Sequence, residues 1–299
     1  MIAAATSSLL AGLVDYAGLF PPAGLEMEGA VREYARHRRS PERWILGRFI
    51  VPAARLAEME EASAPYLPTL GATDPWRVSV LLGNDFADEA AEAASFGRRL
   101  GAQAVVDSVE LRATTPTVES LARVLAALPI GRTAYVELPM DADLPPLLQA
   151  LKARGARAKM RTGGVTPDAI PSLSRVARFL VSCAAARVAF KATAGLHHAV
   201  RSVRSLTYAP DSPKGTMHGF LNVFAAATLA WQGAGADAVE AALRAESTEA
   251  FRLDDDGLSV GGHRASAADV AATRAEFAMG FGSCSFTEPV ADLKALGVL

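Results

Sequence analysis

Lys191 closes the apolar run Val188-Ala189-Phe190, and Lys159 stands in the preceding run with Arg161 two residues on. An amine at such a strand end can attack a carbonyl as a Schiff-base nucleophile, provided it is kept neutral. Desolvation and a neighbouring cation both lower a lysine pKa, so Lys159 and Arg161 are expected to depress that of Lys191. Glu137 and Glu110, in two further runs, are candidates for moving protons. The turn Arg161-Thr162-Gly163-Gly164 offers backbone N–H groups to an anion, with Arg48 and Asp15 as further substrate contacts. Each residue also has a structural reading. Lys191 can pair with Glu137 across the interior, Lys159 and Arg161 can clamp an anion without covalent chemistry, and Glu110 can sit at a rim.

A second constellation is His197, His198 and His218. Three histidines near a strand end are compatible with a metal, but adjacent histidines lack the spacing of a helical ligand pair. The simpler expectation makes His198 an acid/base at the site, with His197 and His218 bonding locally or to substrate. Asn222, one helical turn after His218, is placed to touch substrate. Cys284 lies between two serines and is a candidate nucleophile, but no histidine is near it in sequence, so the leading expectation is a buried or half-buried thiol. No metal or organic cofactor is expected.

Phe190-Lys191-Ala192-Thr193-Ala194-Gly195 resembles the Lys-Thr-x-Thr-Gly segment of deoxyribose-phosphate aldolases. Lys159-Met160-Arg161-Thr162-Gly163-Gly164 is similar to the Lys-x-x-Gly-Gly motif of that family, although here the Gly-Gly motif comes first. The resemblance implies class I aldolase chemistry, with Lys191 as the Schiff-base lysine and Lys159 tuning it.

The elements that must hold these residues alternate along the chain. Apolar strands are expected at 13–20, 44–51, 76–82, 104–111, 133–138, 156–162 and 188–193. Amphipathic helices are expected between them at 28–38, 53–64, 85–100, 117–128, 144–154 and 168–187. Strand–helix alternation of this kind builds a parallel sheet with right-handed crossovers, here a (β/α)8 TIM-type barrel. Catalytic groups of such barrels stand at the C-terminal ends of the strands. Period-two alternation then points Lys159 and Arg161 to one side, and Lys191 with Thr193 likewise.

After Thr193 the rhythm breaks into a loop over 195–216, an apolar helix at 219–232, and a second near 238–245. A hairpin around Asp254-Asp255-Asp256-Gly257 is expected either to supply an irregular eighth strand from one arm or to be an add-on to a seven-stranded or distorted barrel, followed by a helix at 267–279. The run Gly282 to Thr287 is expected to fold back toward the pocket rim. The expectation is one domain over 1–299, with a hairpin and helix extension at about 246–299.

Composition narrows the function classes. With 51% hydrophobic residues and a formal net charge of −2, a large core is available and no basic surface for nucleic acid or an anionic membrane is expected. Two cysteines make no disulfide scaffold and fit a reducing cytoplasm. The partner is then a small anionic molecule, with a homo-oligomer as a further option. The leading expectation is a lyase or aldolase-type enzyme using a strand-end lysine on a small anionic oxo-compound. The alternatives are a metal-dependent lyase, isomerase or hydrolase using the histidines, and a non-catalytic anion-binding barrel.

Overall fold

The structure, a computed structural model, describes residues 2–69, 73–128 and 131–299. Met1, the start of the apolar N-terminal stretch, lies outside the described residues. The chain runs α1 (Ala4–Leu10), β1 (Val14–Tyr16), α2 (Met27–His37), β2 (Leu46–Pro52), α3 (Leu56–Ser63), β3 (Trp76–Leu81) and α4 (Phe86–Leu100). It continues with β4 (Ala104–Arg112), α5 (Val118–Ala127), β5 (Thr133–Glu137), α6 (Leu144–Ala153), β6 (Arg157–Arg161), α7 (Leu173–Ala186) and β7 (Phe190–Thr193). The remaining elements are β8 (Ser202–Ser205), β9 (Lys214–Met217), α8 (Phe220–Trp231), α9 (Ala236–Arg244), β10 (Phe251–Leu253), β11 (Gly257–Val260), β12 (His263–Ser266), α10 (Ala267–Glu276), β13 (Ala278–Ser283) and α11 (Thr287–Ala295).

Eight of these strands close a parallel barrel in the order β1-β13-β7-β6-β5-β4-β3-β2. The fold is therefore a (β/α)8 TIM barrel, with helices packed outside it. The eighth barrel strand is β13, not an arm of the hairpin. That hairpin instead belongs to a separate three-stranded antiparallel sheet, β10-β11-β12. The misreading has a physical source. Ala278-Met279-Gly280-Phe281-Gly282-Ser283 carries no β-branched residue, so local propensity says little. What makes it a strand is pairing with β1 on one side and β7 on the other. Phe281 anchors it from outside, stacking on Phe220 at 5.4 Å and lying 6.0 Å from Phe224, both on α8. The segment 195–216 is also more ordered than a loop, because β8 and β9 pair as an antiparallel hairpin.

The eighth strand makes Gly282 to Thr287 part of the mouth itself. Ser283 ends β13, and Ser285 Oγ accepts the Glu288 N–H at 3.1 Å, closing the first turn of α11. At the other end of the chain, α1 packs against α10.

Candidate functional site

The barrel interior is charged, which is costly unless every charge is paired. Asp15, Glu110, Lys159 and Lys191 are 2%, 1%, 4% and 1% exposed. They form a chain of alternating sign. Lys191 Nζ lies 2.5 Å from Asp15 Oδ2 and 2.7 Å from Glu110 Oε1. Lys159 Nζ lies 2.9 Å from Glu110 Oε2 and 3.2 Å from Glu137 Oε2. Glu137 Oε1 then meets Arg161 Nε at 3.1 Å and Arg112 Nε at 3.6 Å.

The strands explain why these side chains meet. Glu137, Lys159 and Lys191 are register partners across β5, β6 and β7, so all three point inward from one level. Both lysines thus share the interior, as their spacing implies. On β2, Gly47 leaves room for the carboxylate of Asp15, since a Cβ there would stand 2.3 Å from Asp15 Oδ1. Arg48 N–H donates to that same oxygen at 2.7 Å. Ser79 Oγ donates to Glu110 Oε1 at 2.8 Å, and Ser108 Oγ donates to Ser79 Oγ at 2.9 Å. The Tyr135 ring flanks Lys191 Nζ, 5.3 Å from its centroid.

The electrostatics reverse one expectation. Burial alone pulls the Lys191 pKa down, but Asp15 and Glu110 more than offset it and hold the group above the ordinary lysine value. The neighbours that reach this amine are carboxylates, whereas Lys159 turns to the far oxygen of Glu110. Its carboxylate partners therefore favour the ammonium form of Lys191. Burial pushes the Glu110 carboxyl up, yet Lys159 and Lys191 carry it below the usual carboxylate range. Glu137 is lowered in the same way, with Lys159 and Arg161 outweighing its burial.

Several other residues stand elsewhere than expected. Glu110 is at the centre of the barrel, not its rim, because β4 runs on two residues past it. Arg48 turns to Asp107, Nε to Oδ1 at 2.5 Å, and Asp107 also holds Arg77 near the start of β3. Arg48 therefore belongs to the network at the strand beginnings, away from the mouth. Gly163 and Gly164 lie in close-packed turns: a Cβ on Gly163 would stand 3.0 Å from Gly195 Cα, and one on Gly164 would stand 2.7 Å from Ala169 Cβ.

The histidines do not converge. His197 Nδ1 faces Glu288 Oε2 at 2.9 Å, His198 Nδ1 faces Asp292 Oδ2 at 3.1 Å, and His218 Nε2 donates to the Pro171 carbonyl at 2.8 Å. His198 is thus turned to α11, and His218 pins the loop before α7. Asn222 is fully buried, accepting from Arg201 N–H and donating to the carbonyls of Ala242 and Ala245 that end α9. It is a helix clamp, because α8 is buried along almost its whole length.

An open cavity of about 260 Å³ lies above the Glu137 end of the charge chain, lined by Arg112, Thr114, Glu137, Arg161, Asp168 and Arg175. A larger hollow of about 490 Å³ lies between residues 2–6, 251–253 and 296–299, but its side chains are apolar apart from Thr6, Thr248 and Arg252. The reactive groups mark the first cavity as the site. Arg112 and Arg175 were not singled out by sequence, since one ends a strand and the other opens a helix on its polar side. Ser79 and Ser108 had a legible signal, because Ser108 stands two residues from Glu110 and so shares its face.

Gly195 has φ +76°, and a Cβ on it would meet Gly163 Cα at 2.8 Å. Gly195→Ala is therefore expected to cost about 1–3 kcal/mol from backbone strain and the clash. A urea midpoint equal to that of the parent protein would contradict this. No family model matches the chain, and no curated protein matches it either.

Proposed function

We propose that this barrel is a lyase of the imine-forming kind, acting in the cytoplasm on a small anionic oxo-compound bound at the arginine-lined mouth. The single observation that carries the reading is the unbroken chain of alternating charge from Asp15 to Arg161, ending in an open cavity. Barrels of this fold commonly carry their chemistry at that face. The resemblance to deoxyribose-phosphate aldolases points to the same pair of lysines.

Geometry favours Lys159 as the reacting amine. Its partner Glu137 lines the cavity, while Lys191 is shielded behind Asp15 and Glu110. An anionic group bound by Arg161 and Arg112 would weaken their hold on Glu137. The Glu137 carboxylate could then take the proton of Lys159, freeing the amine to attack the substrate carbonyl. The protonated carboxyl would return its proton as water leaves, giving an iminium that draws electrons from the bond to be broken. Lys191, paired with Glu110, would keep that carboxylate ionised and the neighbouring amine in place.

The test is borohydride reduction with glyoxylate, pyruvate and acetaldehyde, followed by peptide mass mapping. A reduced adduct is expected on Lys159, and Lys159→Met should lose it. Absence of any adduct with every carbonyl compound would defeat imine chemistry. The complete pairing of both lysines favours one second reading, a non-catalytic barrel that binds anions, which would bind oxoacids without an adduct. The metal reading has no comparable support, since the three histidines turn to three different partners.

A further inference from the structure

We propose that Cys284, His197 and Glu288 form a second reactive centre at the barrel mouth, in which the Cys284 sulfur adds to the carbonyl carbon of a small anionic compound. This goes beyond the lysine site and does not depend on it. Cys284 directly follows the last residue of β13, so it occupies the strand-end position where barrels of this fold place reacting groups. Its Sγ lies 4.0 Å from each ring nitrogen of His197. Glu288 Oε2 holds Nδ1 of that ring at 2.9 Å. A nucleophile, a base and a carboxylate orienting the base are the elements of an activated thiol, whatever their order in the chain.

The proton inventory agrees with this geometry. With Nδ1 bonded to Glu288, Nε2 is the nitrogen left to exchange a proton at the thiol side. Burial lowers the His197 pKa, but Cys284 and Glu288 together bring it up to about 9. A ring raised in this way can hold the proton of the thiol on Nε2, leaving a cation and proton donor beside the sulfur. In the step itself an S–C bond forms and the C=O π pair moves to oxygen. That oxygen takes the Nε2 proton, leaving a hemithioacetal and a neutral imidazole. No oxidant or reductant is needed, and the step is reversible.

The neighbouring space sets the ligand class. A cavity of about 280 Å³ is lined by Pro22, His197, His198, Arg204, Tyr208 and Glu288. At roughly 30 Å³ per water it has space for about nine waters, hence for a molecule of few atoms. Arg204 supplies the charge that would attract a carboxylate. Tyr208, in the turn between β8 and β9, covers the thiol with its hydroxyl 3.9 Å from Sγ, and donates to Glu288 at 3.0 Å. The tyrosine is 57% exposed, so its ring can swing into solvent and open the way to a thiol that is itself 6% exposed.

The chain carries its own control. Its second cysteine, Cys183, is fully buried on α7, and burial pushes that thiol up. The experiment alkylates the whole folded protein at pH 7 with iodoacetate and with iodoacetamide, reading each cysteine by peptide mass. Cys284 is expected to react while Cys183 stays unmodified. Relative to glutathione, Cys284 should favour the anionic reagent by about tenfold, and Arg204→Gln should remove that preference. His197→Gln should slow Cys284 by about tenfold or more. Glyoxylate should protect Cys284 equally in the parent protein and in Lys159→Met. A Cys284 as slow as Cys183 would overturn the proposal. So would a rate indifferent to His197, or protection that vanishes with Lys159. Arg204→Gln alters an exposed side chain, so its arm stands even where His197→Gln fails to fold.

Discussion

A Lys191→Met variant is expected to lose about 3–5 kcal/mol of folding stability at pH 7, because removing one partner leaves buried charge uncompensated. Asp15 and Glu110 would keep Lys159, the Ser79 hydroxyl and the Arg48 N–H and guanidinium as partners, but lose the ammonium between them. The pH dependence identifies the cause. In the parent protein Glu110 is held below its unfolded value of about 4.3, so its contribution is present above that pH and is lost as pH falls toward the folded value. Lys191 is raised, so its contribution is present below the unfolded value of about 10.4 and is lost as pH rises through the folded value. The pairing is therefore complete between roughly pH 5 and 10. In the variant Glu110 has lost one of the two cations that lower it and takes up a proton more readily, so the deficit should shrink between pH 7 and 4. Urea unfolding across that range measures the effect, and a deficit that does not vary with pH would show that lost packing, not lost charge, is responsible.

Glu137→Gln is expected to slow imine formation with glyoxylate by about 10²–10⁴-fold, the usual range for loss of a positioned proton-transfer group. Glutamine keeps the shape and one acceptor oxygen, enough for either Lys159 or Arg161, and Arg161 at the open mouth can turn to solvent, so the barrel should remain folded. What it cannot do is take the Lys159 proton. Raising the pH should restore part of the rate, since hydroxide then deprotonates the amine directly. Single-turnover trapping with cyanoborohydride reads the rate. Unchanged kinetics at pH 7 would remove Glu137 from the reaction and leave it as a structural counter-ion.

Much of the barrel was legible because seven of its strands are short apolar runs, the first six followed by amphipathic helices, and period-two alternation is a local property. The same alternation put Lys159 and Lys191 inside together. The eighth strand was not legible: Ala278–Ser283 has helix-tolerant residues and two glycines, and only the free edges of β1 and β7 make it a strand. Asn222 and His218 were read as site residues because a polar group in an apolar stretch invites a function. Their partners, carbonyls at the end of α9 and at Pro171, are invisible in a linear reading.

What the sequence by itself determined is which charges enter the barrel and from which strands. What only the tertiary structure decided is how they pair. The carboxylates that set the state of Lys191 come from 176 and 81 residues away, and Cys284 meets His197 across 87. A pKa depends on charges within a few ångströms, and closing the barrel brings β1 and β4 to β7 in a way no spacing encodes. Sequence predicted a lysine depressed by cations because the adjacent strand carries Lys159 and Arg161. Closure put anions there instead, since a buried ammonium is stable only where the fold supplies opposite charge.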